Sequence, residues 1–430
     1  MLSRRTVLEG LSSAVGCAIL PGGAQATKSS APFRVLHARP AVMPAAHGER
    51  TPGSLLAYEG QNPGPGLRIR QGEELNVRLF NELAEPTSVH WHGVRLPNAM
   101  DGAPNVTQLP IEPGTSFDYR FRPPDAGTFW YHAHSADQAD RGLHGALIVE
   151  EAAPVDVDRD LVIVLGMPAK AATLPQGSFL VNGAGRPDIP VNPGEQLRVR
   201  FINATSARGA SLKLEGHDPW VMAIDGQPTD PFRPREARIG LAPGARVDVF
   251  IDASASAGAS VPLLAGASPR EEHVIAHLVY QAGGGAPPAN RRRSLGSASP
   301  PPPLPSNPLP ARIDLKTALV AEVTIADAAD AGRAVVGEGR PLFTVRRGRA
   351  VNLGLHRSSA EPRVVHIHGH HFRLLDRLDD GWKPYWLDTL VIAEATERVA
   401  FVADNPGRWL IEHRALESKG VGSAAWFVVS

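Results

Sequence analysis

The sequence predicts an all-β fold, and two observations carry that prediction. Short segments that alternate apolar and polar residues, such as 67–70 (LRIR) and 75–79 (LNVRL), are separated by clusters of Gly, Pro, Asn and Asp. The chain of 430 residues also contains 42 glycines and 40 prolines, which favour turns and interrupt long helices. Only a few short segments, of which 137–143 is one, are expected to be helical.

One strand pattern, introduced by a Gly-containing turn, occurs three times. Residues 71–81 (QGEELNVRLFN) are echoed by 192–203 (NPGEQLRVRFIN) and, more weakly, by 347–355 (RGRAVNLGL). Copies separated by more than a hundred residues favour three similar domains over a solenoid. Each copy is therefore expected to enter a β-sandwich of its own.

Between the second and third copies lies a segment of unusual composition. Residues 282–310 contain three consecutive glycines, three consecutive arginines and a run of four prolines. This composition is typical of a solvated linker, and a docking patch is the alternative for the arginine run. The predicted organisation is domains at 31–152, 158–281 and 311–430, with a Pro/Gly/Arg-rich linker at 282–310.

The N-terminus predicts an export signal. Residues 3–8 (SRRTVL) resemble a twin-arginine motif, and a modest apolar run and Ala24-Gln25-Ala26 follow it. We expect a signal peptide over 1–26 and a periplasmic protein; an ordinary N-terminal helix and a lipoprotein cut before Cys17 are the alternatives. Cys17 is the only cysteine, so the processed chain is expected to contain no disulfide, catalytic thiol or thiolate ligand.

Charge excludes some classes of partner. Lys+Arg and Asp+Glu both number 44, so no net field attracts nucleic acid or an anionic membrane. No segment outside the N-terminal one is long and apolar enough to predict a membrane span.

Three His-x-His pairs carry the chemistry. They comprise six of the sixteen histidines, namely His90, His92, His132, His134, His366 and His368. Strand side chains alternate, so each pair directs two imidazoles to one face, which is half of a copper or zinc ligand set. The alternative is that these histidines satisfy hydrogen bonds in a core.

The surrounding residues resemble a known family. Segments 90–93 (HWHG), 130–134 (WYHAH) and 366–370 (HIHGH) resemble the first three copper motifs of the multicopper oxidases. The middle of the chain agrees in 181–183 (VNG), 223–227 (AIDGQ) and 242–248 (APGARVD). The resemblance implies three cupredoxin-like Greek-key β-sandwich domains. It also implies a trinuclear copper cluster between the first and third domains, with the middle domain chiefly a spacer.

The resemblance also implies a role for each histidine of the pairs. His90 and His366 match the ligands of the type 2 copper. His92 and His132 match ligands of one type 3 copper, and His134 and His368 match ligands of the other.

Further residues near these motifs are also assigned by the resemblance. Asp101 matches an acidic residue that orients water and supplies protons near the cluster, with a turn residue before Gly102 as the alternative. His370 and His371 fit supporting positions, and the remaining middle-domain histidines are expected to be structural or at the surface; these are His217, His273 and His277.

The fourth copper motif departs from the family pattern. Where the family has His-Cys-His, this chain has Glu412-His413-Arg414. The other expected type 1 ligands are also replaced, by Arg363, Ser418 and the pair Gly422-Ser423. A type 1 copper, which needs a thiolate, is therefore not expected.

Glu412 and Arg414 should affect the cluster in opposite ways. A carboxylate can ligate copper, whereas a guanidinium is always protonated and repels a cation. Glu412 is therefore a candidate catalytic residue together with Asp101. Alternatively, Glu412 and Arg414 pair with each other and fill the volume that two histidines would occupy.

Three functions stay open. The favoured one is an exported copper-binding protein with a partial cluster of one or two coppers and limited copper-dependent oxidoreductase chemistry, with dioxygen as a candidate partner. The first alternative is a non-enzymatic periplasmic scaffold with a protein partner. The second is a laccase-like oxidase, which the loss of the type 1 ligands disfavours.

Overall fold

The computed structural model describes residues 32–41, 55–167, 178–267, 269–282, 295, 299–325, 339–358, 360–375, 381–416 and 423–430. The predicted signal peptide with Cys17, the Arg-rich part of the predicted linker, and Ser418 lie outside the described residues. Strand accounts for 52% and helix for 4%, which confirms the all-β prediction.

The first part of the chain forms two four-stranded sheets. Its strands are β1 (Arg34–Ala41), β2 (Leu55–Tyr58), β3 (Gly64–Arg70), β4 (Leu75–Asn81), β5 (Val89–His92), β6 (Ser116–Phe121), β7 (Gly127–Ala133) and β8 (His144–Glu150). The strand orders are β2-β1-β4-β6 and β3-β8-β7-β5. We name this part the first sandwich.

The middle part forms a six-stranded and a five-stranded sheet. Its strands are β9 (Arg159–Gly166), β10 (Leu180–Val181), β11 (Asp188–Val191), β12 (Gln196–Asn203), β13 (Ala210–Leu214), β14 (Trp220–Ile224), β15 (Gln227–Phe232), β16 (Ile239–Leu241), β17 (Arg246–Asp252), β18 (Ser260–Gly266) and β19 (His273–Tyr280). The orders are β10-β9-β12-β17-β14-β15 and β11-β19-β18-β13-β16. This part is the middle sandwich.

The last part forms a four-stranded and a five-stranded sheet. Its strands are β20 (Leu319–Ile325), β21 (Thr344–Val345), β22 (Ala350–Arg357), β23 (Arg363–Ile367), β24 (Arg373–Leu374), β25 (Thr389–Ile392), β26 (Thr396–Val402), β27 (Gly407–Ala415) and β28 (Ser423–Val429). The orders are β20-β22-β26-β24 and β21-β28-β27-β23-β25. This part is the last sandwich.

Helical structure is short throughout the described ranges. It consists of one α-helix, α1 (Ala136–Asp140), and three 3-10 turns at Asn98–Met100, Arg235–Ala237 and Pro269–Glu271. The helix overlaps the segment 137–143 that the sequence allowed as helical. No helix in the described part of the chain is long and apolar enough to cross a membrane.

The repeat predicted from the sequence is reproduced in the strand pairing. Its three copies form β4, β12 and β22. Each of these strands pairs in parallel with the first long strand of its sandwich, namely β1, β9 and β20. Each pairs on its other side with an antiparallel strand, namely β6, β17 and β26. The same local pattern therefore occupies the same position in all three sandwiches.

The hydrophobic cores show how the sandwiches associate. One continuous cluster of buried side chains contains residues of both the first and the last sandwich, including Trp91 and Trp409. A separate cluster, with Leu197 and Tyr280 among its members, fills the middle sandwich. The first and last sandwiches thus share one hydrophobic core.

Part of the predicted linker is buried, so the expectation of a solvated segment is wrong there. Leu304 is 6% exposed and Asn307 is 9% exposed. The amide of Asn307 donates to the carbonyl of Ala126 (2.8 Å) and to Oε1 of Gln227 (2.9 Å). Its oxygen accepts from the Ala126 amide (2.9 Å). One side chain thereby satisfies polar groups of both the first and the middle sandwich, which offsets the cost of burying them.

Candidate metal centre

Four strands bring the His-x-His pairs to the junction of the first and last sandwiches. β5 and β7 are antiparallel, and His90 lies opposite His132. β23 and β27 are also antiparallel, and His366 lies opposite Glu412. His134 and His368 follow directly after the ends of β7 and β23. The alternation of strand side chains thus points each pair toward one volume, as predicted.

The six predicted histidines form a single cluster, which we name the histidine cage. Ring centroids lie 3.8 Å apart for His92 and His366, and 4.0 Å apart for His90 and His368. His132 lies 5.4 Å from His90 and His134 lies 5.8 Å from His368. The Nε2 atoms of His90 and His366 are 3.3 Å apart.

Four rings of the cage are anchored through Nδ1. His90 donates to the carbonyl of Asp101 (2.9 Å), and His366 donates to that of Asp388 (2.9 Å). His132 donates to the carbonyl of Ala133 (2.8 Å). The fourth ring, that of His368, donates to Oδ2 of Asp101 (2.9 Å). A backbone or carboxylate acceptor behind one ring nitrogen is the usual support of a metal-ligating histidine.

The other ring nitrogens fit a metal. The Nε2 atom of His132 is buried without a hydrogen-bond partner among the described residues, whereas those of His134 and His368 face the Glu412 carboxylate at 2.9 Å and 3.4 Å. A buried polar atom without a partner is costly, so its place in this cage points to an absent ligand. Imidazole nitrogens in this arrangement suit copper or zinc.

Among the described residues, four groups of ligand atoms lie close enough to hold an ion, with members within 4.8 Å of one another. They are His90–His366–His368, His90–His92–His132, His92–His366–Asp388 and His134–His368–Glu412. The first, second and fourth contain the ligand pairs predicted for the type 2 and the two type 3 positions. The groups share histidines, so they cannot all be filled independently.

Asp101 supports two rings of the cage at once. It is 1% exposed, and its Oδ1 lies 3.4 Å from Nδ1 of His90 while Oδ2 bonds His368. Burial raises the pKa of Asp101, but the nearby His368 and His90 outweigh it and hold that pKa below its ordinary value. The carboxylate therefore stays ionised and fixes the orientation of both rings.

Glu412 faces one pair of the cage. Its Oε1 lies 2.9 Å from Nε2 of His134, and its Oε2 lies 3.4 Å from Nε2 of His368. Its contact with Arg414 is longer, at 3.8 Å. Burial raises the pKa of Glu412, yet the two histidines hold it well below its ordinary value. Glu412 is thus primarily a partner of histidines, and the predicted pairing with Arg414 is secondary.

Arg414 faces the other pair. It lines a cavity of about 50 Å³ together with His92 and His132, and Glu412 lines the same cavity. Burial, His90 and the Arg414 guanidinium all lower the pKa of His132 well below its ordinary value. A cation bound by His92 and His132 would meet this fixed positive charge.

Most rings of the cage are neutral near pH 7. Burial and the adjacent His368 lower the pKa of His90 to about 4. Burial also lowers the pKa values of His92 and His366. His368 is the exception: burial opposes its charged form, but Asp101 and Glu412 raise its pKa to about 10. A metal at His368 therefore displaces a proton there.

The sequence did not indicate Asp388 and Thr389, although both contact the cage. The Asp388 carboxylate lies 3.5 Å from Nε2 of His92 and 3.5 Å from Nδ1 of His366. The Thr389 hydroxyl lies 3.0 Å from Nε2 of His92. No spacing motif marks them; they reach the site because Thr389 in β25 pairs with His366 in β23.

The other histidines take supporting places, as predicted. His370 donates through Nδ1 to the carbonyl of His368 (3.1 Å), and Nε2 of His371 lies 3.2 Å from the carbonyl of Asp225. In the middle sandwich, His217 bonds the hydroxyl of Tyr280 (2.6 Å). His273 and His277 are partly exposed on β19.

The residues at the expected type 1 positions form a different arrangement. Arg363 is buried at the start of β23. Nε2 of His413 lies 2.6 Å from the hydroxyl of Ser423. Burial and the Arg363 guanidinium lower the pKa of His413 to about 4. A neutral imidazole and a hydroxyl thus lie at two of the positions where the resemblance implies type 1 copper ligands.

Comparison with known proteins defines the class. Family models described as multicopper oxidase match residues 43–154, 159–280 and 308–430. Two crystal structures of multicopper oxidases, from Pseudomonas thermotolerans and Pseudomonas parafulva, superpose with TM-scores of 0.77 each, at 32% and 30% identity. Each superposition covers 93% of this chain and 99% or 100% of the other. The chain belongs to the multicopper oxidase family.

Among characterised relatives, the multicopper oxidase MmcO of Mycobacterium tuberculosis is 28% identical over 429 residues. That match covers 83% of this chain and 80% of the relative. Copper resistance protein A of Pseudomonas syringae pv. tomato is 29% identical over 267 residues, which is 47% of this chain and 43% of that protein. Membership of this family implies copper as the cofactor.

Proposed function

We propose that the chain is an exported copper-binding protein of the multicopper oxidase family, with a partial cluster of one or two copper ions and no type 1 copper. The observation that carries the proposal is the cluster of six histidines, four of them anchored through Nδ1, whose ligand atoms form groups close enough to hold an ion. Export rests on the twin-arginine motif of residues 3–8.

Two positions in the cage suit a cation. His90 and His366 supply one pair of nitrogens, with Asp101 and the backbone holding their rings. The second position is formed by His134, His368 and Glu412. The carboxylate of Glu412 adds a negative charge there, which favours a divalent ion.

The third position of a complete cluster is disfavoured by Arg414. Its guanidinium replaces an imidazole and cannot lose its proton. Glu412 and Arg414, two residues apart on β27, thus favour cation binding at one position and disfavour it at the other. The single Cys17 lies within the segment that we expect to be removed, so no thiolate is available for a type 1 copper.

Bound copper would supply one-electron redox chemistry toward dioxygen, peroxide or cuprous ions. The protein contributes the geometry. Asp101 keeps two rings oriented through its hydrogen bonds to His90 and His368. Glu412 holds its charge beside His134 and His368. Without type 1 ligands, laccase turnover is not part of this proposal.

The second candidate is a scaffold that has lost the chemistry. Arg414 and His413, which replace a copper ligand and the cysteine, favour it. A loss-of-function phenotype that is fully rescued by a variant lacking His90, His92, His366 and His368 would support the scaffold.

The deciding experiment is copper stoichiometry with electron paramagnetic resonance on protein matured with copper. We expect one or two tightly held ions per chain, a type 2 signal and no intense blue absorption. His366→Ala should lose at least one ion, whereas His356→Ala, a surface histidine paired with Glu322, should lose none. Less than about one ion per chain, unchanged in His366→Ala, would contradict the proposal.

A further inference from the structure

We propose that the middle sandwich positions the copper ligands through Arg246, which holds the carboxylate behind His92 and His366. The inference rests on the proposed copper site. The family resemblance implies that this sandwich is chiefly a spacer. In this structure, however, Asp225 and Arg246 of two middle-domain motifs contact Asp388, which lies behind the histidine cage.

Arg246 reaches from β17 to the last sandwich. Its Nη1 and Nη2 donate to Oδ1 (2.8 Å) and Oδ2 (2.6 Å) of Asp388, a two-pronged pair. Both side chains are 0% exposed. Parallel hydrogen bonds between a guanidinium and a carboxylate fix the plane of the carboxylate as well as its position.

Asp225 fixes the backbone of the same segment. This residue lies between β14 and β15, within the middle-domain motif at 223–227. Its Oδ2 accepts from the amides of Asp388 (3.1 Å) and Thr389 (3.2 Å). Its Oδ1 accepts from the amide of Arg246 (3.0 Å). Side chain and main chain of Asp388 are therefore both held from the middle sandwich.

Asp388 in turn fixes groups that contact the histidine cage. Its carbonyl accepts the Nδ1 proton of His366, and its Oδ1 accepts from the Thr389 hydroxyl (2.8 Å). That hydroxyl lies 3.0 Å from Nε2 of His92. A shift of Asp388 would thus move the supports of one ring from β5 and one from β23.

Gly93, directly after His92, shows that space is reserved for the pair. It adopts φ +80°, and a Cβ at this position would collide with the Arg246 guanidinium and the Asp388 carboxylate. The glycine of the first copper motif is therefore required for the contact as well as for the turn.

Removing Arg246 would leave Asp388 as a buried carboxylate beside Asp225, with its main partner lost. Such a group does not keep its position, because an uncompensated buried charge is strongly unfavourable. We therefore assign Arg246 as a positioning residue that acts through Asp388 without touching the metal.

The test compares Arg246→Met and Arg246→Lys with Arg198→Met. Arg198 is an equally buried arginine of the middle sandwich that pairs with Asp248 (2.6 Å) and Glu151 (2.8 Å). For each full-length protein we would measure the melting temperature without metal, the copper affinity by chelator competition, and the copper hyperfine splitting by electron paramagnetic resonance.

Arg246→Met should weaken copper binding about 10–100-fold and alter the hyperfine splitting, as losses of outer support typically do. Arg246→Lys, which keeps the charge but not the two-pronged geometry, should give a smaller shift in both. Arg198→Met should lower the melting temperature yet leave affinity and spectrum as in the wild type. If Arg246→Met does not fold, Arg246→Lys decides.

The experiment distinguishes a failure of the proposed copper-binding function from a failure of the positioning role of Arg246. A wild-type protein that holds no copper would contradict the proposed function, and the positioning role with it. Tight copper binding in the wild type, with affinity and spectrum unchanged in the folded Arg246 variants, would overturn the positioning role alone.

Discussion

Two sides of the histidine cage are built alike yet face opposite charges. On one side His134 and His368 lie against the carboxylate of Glu412, 2.9 Å and 3.4 Å away. On the other, His92 and His132 share a cavity with Arg414, which lowers the pKa of His132; Glu412 also lines this cavity. Both charged residues project from β27, two positions apart and so on the same face.

The difference teaches that the number of histidines does not decide what the cage can hold. Each side contributes two imidazoles, and each would need a third ligand. Glu412 provides an anionic oxygen on one side, whereas Arg414 provides a cation on the other. Under the proposed function, one strand would therefore divide an otherwise symmetric pair of positions into one that favours a metal ion and one that disfavours it.

The largest effect is expected from removing the attractive charge. Glu412→Gln keeps the shape of the side chain but not its charge. We expect copper affinity at the His134–His368 side to fall more than about 100-fold, since even an outer-shell partner is typically worth 10–100-fold. Chelator competition monitored by copper content measures the change.

The control for this change is Glu322→Gln, which alters a carboxylate on the surface of the same sandwich. It should leave copper affinity unchanged. If Glu412→Gln binds copper as tightly as the wild type, the two sides do not differ in the way their charges indicate.

A smaller effect is expected from removing the repulsive charge. Arg414→His should allow the His92–His132 side to bind, raising the copper content by up to one ion per chain. Arg408→His makes the same substitution on the same strand, where the guanidinium stacks on Trp426 at 4.4 Å. That control should gain no copper, and a gain in both variants would indicate nonspecific binding.

The smallest effect concerns the direct interaction of the two charges. Glu412 and Arg414 are 3.8 Å apart and partly exposed, and Glu412 is closer to His134. A double-mutant cycle with Glu412→Gln and Arg414→Gln should give a coupling free energy below about 1 kcal/mol in the metal-free protein. A much larger value would favour a neutral ion pair that fills the site.

Sequence periodicity was sufficient for each His-x-His pair and for much of the fold, whereas the meeting of the three pairs in one cage was implied by the family resemblance. The side-chain alternation of strands fixes which histidines share a face, so His90 and His92 converge whatever the neighbouring loops do. The repeat that forms β4, β12 and β22 is equally local, and it predicted three strands in equivalent positions. Such features depend on residues close together in the chain.

The supports of the cage depend on distant pairing and could not be read in that way. Arg246 and Asp388 are separated by 142 positions, and each is a single charged residue with no spacing motif that links them. Their contact follows from the packing of the middle sandwich on β25. The segments containing Asp225 and Arg246 were recognised as family-like, but without a role.

The composition of the predicted linker gave a wrong prediction of its burial, again because the burial depends on residues distant in the chain. A Pro- and Gly-rich segment is usually solvated, yet Leu304 and Asn307 are buried. Whether such a segment docks depends on complementary partners elsewhere, here the main chain of Ala126 and the side chain of Gln227. The hydrogen bonds of the Asn307 side chain therefore decide the local structure, although the average composition of the 29 residues predicts a solvated segment.

The separation of the cage residues along the chain has a consequence for synthesis. His90 and His366 place their Nε2 atoms 3.3 Å apart although 276 positions lie between them. A growing polypeptide that has emerged from the ribosome only as far as His134 contains four of the six cage histidines. His366, His368 and Glu412 are still missing. The complete cage therefore exists only after β23 and β27 have been translated, and a product terminated before them would contain four of the six histidines and no Glu412.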